Sequence, residues 1–176
     1  MHKAGFIAIV GKPNAGKSTL LNTLLGQDLS IVTHKAQTTR HRIRGVVSQP
    51  DYQLVFSDTP GIITPGYQLH QRMMTFVQSA FADADVVLLV YDALGNDMDA
   101  EKFKTLLPGD KKLVVALNKI DLSNQEELEN IVQKIEQQLN PDAIVPISAK
   151  EKFGGDVLIK TLLQFIPEAP PYFDKD

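Results

Sequence analysis

Two stretches of this chain, VVLLVY at 86–91 and KLVVAL at 112–117, are apolar on consecutive positions. A strand points successive side chains to opposite faces, so such a run must be buried on both sides, as in a parallel sheet covered by helices. FIAIV (6–10), IRGVVS (43–48) with YQLVFS (52–57), and AIVPI (143–147) read as further strands. Between them lie segments with helical spacing. Leu20, Leu21, Leu24 and Leu25 form one apolar stripe, and Leu128, Ile131, Val132, Ile135 and Leu139 form another. The pattern predicts an α/β fold: an open, mostly parallel six-stranded sheet with helices on both faces, binding its ligand at the carboxyl ends of the strands.

The whole chain sets few other limits. Its 176 residues suit one domain, and 43% hydrophobic with 22% charged residues is ordinary globular composition. No apolar run is long enough to cross a bilayer, and MHKAGFIAIV lacks the pattern of a secretory signal. With no cysteine there is neither a disulfide framework nor a thiolate metal site. These features favour a cytoplasmic monomer, with peripheral membrane association left open. A net charge of −3 supplies no global attraction for nucleic acid, so RNA binding would need a local patch or another domain.

GKPNAGKST, residues 11–19, sits between the first strand and the first helix and satisfies G-x-x-x-x-G-K-[ST]. Glycines let backbone N–H groups of Gly11, Asn14, Ala15, Gly16, Lys17, Ser18 and Thr19 converge on phosphate oxygens at a helix N-terminus. Lys17 reaches the β and γ phosphates, and Ser18 offers its hydroxyl to Mg²⁺. DTPG, residues 58–61, follows a strand; Asp58 suits a water-mediated Mg²⁺ contact, and Gly61, after Thr59 and Pro60, can approach the γ phosphate.

The base is read elsewhere. NKID, Asn118 to Asp121, follows the strand KLVVAL, and a carboxylate at Asp121 can accept from both N1–H and the N2 amino group of guanine. Adenine has no such pair, and a site built around it discriminates by roughly 10⁴–10⁵. Asn118 and Lys119 complete that motif. ISAK, 147–150, follows another strand; Ser148 and Lys150 flank Ala149, whose N–H can face guanine O6. Asp121 argues against an ATPase or kinase.

With GKPNAGKST, KAQTTRHRIRG, DTPGI, NKID and SAK in this order, the chain resembles the translation-factor-related class of P-loop GTPases and, within it, the Era family. KAQTTRHRIRG is the discriminating element, because related families generally carry Pro-Gly-Thr-Thr-Arg-Asp there. The resemblance implies a Ras-like fold, with residues 1–167 as the GTP-binding domain. It implies Mg²⁺ and GTP or GDP as ligands, and a switch role in small-subunit assembly and 16S rRNA processing. In the family an RNA-binding KH domain follows the GTP-binding domain. No KH-type G-x-x-G loop is present here, so 168–176, within the Pro-rich PEAPPYFDKD, reads as a linker or tail toward such a domain. By sequence alone a frayed terminus is favoured for it.

The polar stretch from about Asp28 to Arg42 fits a switch loop ordered by γ phosphate and metal. Spacing leaves Thr38 and Thr39 equal as the metal-reaching threonine; the resemblance implies Thr39. Lys35, Arg40, Arg42 and Arg44 form a basic group that suits a solvated face as well as an RNA contact. His34 and His41 read as surface residues. Ile62 stands where small signalling GTPases carry a glutamine that orients water, so turnover should be slow. The resemblance implies that Asn14 helps hold K⁺ where other GTPases use an arginine, which with Lys17, Thr39 and Gly61 makes the expected catalytic set. An alternative is a GTP/GDP-dependent binding module with little turnover. Leu69, Met73, Met74, Val77 and Phe81 form a helical stripe suited to core packing.

Overall fold

The computed structural model describes residues 1–12, 15–26, 29–30, 42–58, 78–95 and 100–174. In chain order the elements are β1 (Lys3–Gly11), α1 (Lys17–Leu25), β2 (Leu29–Ser30), β3 (Arg42–Gln49) and β4 (Tyr52–Asp58). Helical residues 78–83 (α2) precede β5 (Val86–Asp92) and α3 (Ala100–Leu106). Then follow β6 (Lys112–Asn118), a 3-10 turn (Ile120–Leu122), α4 (Gln125–Leu139), β7 (Ala143–Pro146) and α5 (Gly155–Leu163).

The sheet order is β2-β3-β4-β1-β5-β6-β7. From β4 to β7 every pairing is parallel, while β3 runs antiparallel to β4 and to β2. The six expected strands are all present, and the two-residue β2 extends the β3 edge. From β1 the chain passes through α1 to the β2–β4 side, and from β4 it crosses past β1 to β5, so the strand order reverses at β1. A crevice opens at such a point, above the carboxyl ends of the strands.

Burial on both faces follows the period of two. Ile7 and Ile9 of β1, with Val86, Leu88 and Val90 of β5, pack on one side with Leu20, Leu21 and Leu25 of α1 and Leu158 and Leu162 of α5. Ala8 and Val10, with Val87, Leu89 and Tyr91, pack on the other side with Phe81, Phe103, Ile131 and Ile135. Burying each large aliphatic or aromatic side chain is worth about 1.5–3 kcal/mol, so these two layers hold the strands in register. The expected stripes of α1 and α4 therefore lie on opposite faces of one sheet. Phe81 is buried as expected; Leu69, Met73, Met74 and Val77 lie outside the described residues.

The chain end differs from the expected frayed tail. Lys3 and Glu168 form an antiparallel bridge, and Ala4 N–H donates to Pro167 O while Ala169 N–H donates to His2 O. Farther on, the fully buried Gln53 of β4 accepts at Oε1 from Tyr172 N–H (2.7 Å) and Phe173 N–H (3.0 Å). Its Nε2 donates to Phe173 O and to Ser48 Oγ, both at 2.9 Å. Phe173 packs against Val46 and Val55, and the Tyr172 ring lies 4.8 Å from that of Phe6. Prolines remove competing donors and keep the segment extended, but a polar side chain inside the sheet supplies the partners that seat it.

Candidate functional site

A cleft of about 600 Å³ opens where β1, β6 and β7 end. Lys12, Lys17, Lys119 and Lys150 line it with a single carboxylate, Asp121, among the described residues. In a chain of net charge −3 this is a local excess of positive charge, suited to a polyanion.

One end of the cleft is the loop between β1 and α1. Ala15 N–H donates to Lys12 O, and Leu20 N–H donates to Gly16 O, so α1 begins directly after the turn. Gly16 has φ 102°, a left-handed conformation that other residues adopt only with strain. The space is closed as well: a Cβ at Gly16 would collide with Nδ2 of Asn118. Lys17 opens α1 and lines the cleft, and the helix dipole at such a start favours an anion. Ser18 lies exposed in the first turn and faces the cleft. Asp58 ends β4 in register with Ile9, two residues before Gly11, so its backbone stands beside the start of the loop.

The other end is built from β6 and β7. Asn118 is buried, and both halves of its carboxamide are used. Its Nδ2 donates to Ala15 O at 2.8 Å, and its Oδ1 accepts from Ala149 N–H at 3.0 Å. One side chain thus joins the phosphate loop to the ISAK loop. Ala149 N–H, expected to face guanine O6, is engaged with Asn118 here. Ser148 Oγ donates to Asp121 Oδ1 at 2.8 Å, which orients the carboxylate toward the cleft that Asp121 lines. A carboxylate has capacity for about four acceptor bonds, so Asp121 retains lone pairs for a base. Ser148 is itself held by the bridge to Phe153, which Gly154, at φ 86°, allows by turning the chain into α5. After NKID the chain enters α4 through a capping box: Asn124 Oδ1 accepts from Glu127 N–H, and Glu127 reaches back to Asn124 N–H.

Gly11, Gly16, Lys17, Ser18, Thr19, Asn118, Lys119, Asp121, Ser148, Ala149 and Lys150 all line this one cleft, and the buried Ala15 is tied to it through Asn118. Asn14, Thr38, Thr39, Thr59, Pro60, Gly61 and Ile62 lie outside the described residues, as do Lys35, Arg40, His34 and His41. Arg42 and Arg44 belong to β3.

Two contributors escape motif reading. Thr23 of α1 donates through Oγ1 to Ala149 O at 3.0 Å, a second tie between the helix of the phosphate loop and the ISAK loop. Asp92, the last residue of β5, accepts from Lys119 Nζ at 2.8 Å. The only sequence signal for Asp92 is a carboxylate at the end of an apolar parallel strand.

Comparison with known proteins agrees with this geometry. Residues 6–119 match the family model described as 50S ribosome-binding GTPase. GTPase Era of Bordetella avium (strain 197N) is 44% identical over 176 residues, covering 99% of this chain and 60% of that protein. The chloroplastic GTPase ERA1 of Zea mays is 41% identical, covering 99% of this chain and 43% of its own length. The chain thus spans about half the length of the curated relatives it matches. Among solved structures, an Aquifex aeolicus Era variant bound to GDP.AlF4- superposes with TM-score 0.78 at 37% identity, covering 99% of this chain and 60% of that one. Era in complex with MgGDPNP and nucleotides 1506–1542 of 16S ribosomal RNA gives TM-score 0.79 at 38% identity, covering 100% and 61%.

Proposed function

We propose that this chain, which belongs to the 50S ribosome-binding GTPase family and is similar to GTPase Era over nearly its whole length, binds GTP and slowly hydrolyses it to GDP and phosphate. The observation that carries the reading is the double use of Asn118: one carboxamide locks the phosphate loop to the guanine loop, so the two ends of one nucleotide are gripped together. Asp121 reads guanine N1–H and N2, while Lys17 and the N–H groups opening α1 hold the phosphates.

Ser18, exposed toward the cleft, fits Mg²⁺ with Asp58 and Thr39 as its partners. Bound there, such an ion would neutralise phosphate charge. Lys17 would add to that neutralisation, and Gly61 is the residue assigned to offer its N–H to the γ phosphate. Ile62 supplies no polar group to orient water, which makes turnover slow. A carbonyl oxygen from Asn14 would help hold a K⁺, whose charge would offset that of the phosphates.

The switch role extends to small ribosomal subunit assembly and 16S rRNA processing in the cytoplasm; the RNA part of this reading is supported by the solved Era complex with nucleotides 1506–1542 of 16S ribosomal RNA. High-affinity RNA binding is assigned to a KH domain following residues 168–176, and nucleotide chemistry to residues 1–167. The test is multiple-turnover phosphate release from GTP with Mg²⁺, with ATP as control. Slow, GTP-selective release supports the reading. GTP binding without turnover supports a nucleotide-dependent binding module instead, and equal use of ATP overturns the role of Asp121.

A further inference from the structure

Lys119 stands at the cleft wall with backbone φ 69°, a left-handed conformation unusual for lysine. Strain of this kind persists only where the surroundings hold it, and it gathers at ligand sites. Here the backbone is held by Ala93 N–H donating to Asn118 O and Ile120 N–H donating to Ile147 O. The side chain is held by Asp92, whose Oδ2 lies 2.8 Å from Lys119 Nζ.

The Asp92 carboxylate is itself fixed before it meets the lysine. Its Oδ1 accepts from Leu94 N–H at 2.8 Å, and Gly95 N–H donates to the Asp92 carbonyl, closing a tight turn after β5. Parallel pairing sets Asp92 opposite Asn118, so this turn lies beside the start of NKID. One oxygen is tied to backbone and the other faces the ammonium. The side chains of Lys119 and Asp92 are 30% and 18% exposed, so the pair is partly shielded from water and from salt.

Lysine loses more rotamer freedom on ordering than most side chains, and a wall residue that must be ordered by the ligand weakens binding. A preplaced carboxylate removes that cost before the ligand arrives. It also draws the ammonium toward the end of β5 while Lys119 remains part of the cleft wall.

We propose that Asp92 is a positioning residue for nucleotide binding, acting on the ligand only through Lys119. This rests on the guanine-nucleotide reading above. Asp92 sets affinity, not base choice: GDP and IDP differ only at the 2-amino group, which is assigned to Asp121, so loss of Asp92 weakens both by the same factor.

The experiment is calorimetric titration of GDP and IDP with Mg²⁺ into the full chain, comparing wild type, Asp92→Asn, Asp92→Ser, Lys119→Ala and the Asp92→Asn/Lys119→Ala double variant. Asn keeps an acceptor for Leu94 N–H and removes the charge. A loss of roughly tenfold in affinity is expected for each Asp92 variant, the worth of one charge-assisted hydrogen bond. In the Lys119→Ala background Asp92→Asn should change affinity by less than about twofold, because coupled residues are not additive. Wild-type affinity in both Asp92 variants would overturn the proposal, and so would an equal loss with and without Lys119, which a general effect on the fold would produce. A wild-type chain that binds neither nucleotide would instead overturn the guanine reading itself.

Discussion

Asn118 Nδ2 donates to the carbonyl oxygen of Ala15 at 2.8 Å, closing a contact across 103 residues of sequence between the end of β6 and the phosphate loop. Gly16 lies directly against the same carboxamide. Changing Gly16 to alanine would impose a left-handed backbone, costing about 1–2 kcal/mol, and drive a methyl group into Asn118. Loss of stability in urea unfolding together with loss of GDP binding is the expected result. A Gly16→Ala chain that binds GDP normally would show that the Asn118 bridge is dispensable.

Asp121 is oriented by Ser148 and faces the cleft. In Asp121→Asn the amide can donate to the C2 carbonyl of xanthine, where a carboxylate is repelled. Competition between GDP and XDP should therefore shift toward XDP, with guanine preference falling by up to roughly 10⁴. Retained guanine preference removes Asp121 from base reading.

Gln53 satisfies three backbone groups of residues 172 and 173 from inside the sheet. Gln53→Ala leaves them without those partners, and each buried unpaired group costs about 1–3 kcal/mol unless the segment lifts into water. Faster amide exchange at Glu168, Ala169, Tyr172 and Phe173, with a smaller loss of global stability, is expected. Unchanged exchange there would mean that Phe173 packing and the Lys3–Glu168 bridge hold the tail alone.

Burial, with a smaller contribution from the Asp85 carboxylate, holds the Tyr172 phenol above its ordinary pKa of 10.0. The seated segment thus binds that proton more tightly than the free one. Its advantage is complete below pH 10 and is lost as pH rises through the raised value. A pH series of tail exchange should show this loss in the wild type. Tyr172→Phe should abolish the step.

Potassium at Asn14 would supply transition-state charge neutralisation, a role that an arginine performs with a gain of roughly 10³–10⁵. GTP turnover should rise when Na⁺ is replaced by K⁺, and Asn14→Ala should remove the difference. Equal rates in both salts, unaffected by Asn14→Ala, exclude a potassium mechanism.

What the sequence determined by itself was local and periodic. Runs such as VVLLVY cannot be half exposed without stranding apolar surface in water, so a doubly covered parallel sheet was legible, and with it the edge where Gly11, Asn118 and Ala149 must gather. Glycine and lysine spacing in residues 11–19 carried the loop that opens α1 at the cleft, because backbone geometry at a helix start depends on near neighbours. Contacts between distant segments carry no such period. The Asp92–Lys119 pair, the Thr23 tie to Ala149 and the Gln53 clamp each join residues with no sequence pattern in common. The proline-rich end shows the contrast most plainly: its composition makes it extended, but β1, through the Lys3–Glu168 bridge, and β4, through a buried glutamine that needs partners, decide that it is seated on the sheet. Register between strands supplied those meetings, and register is a property of the packed core.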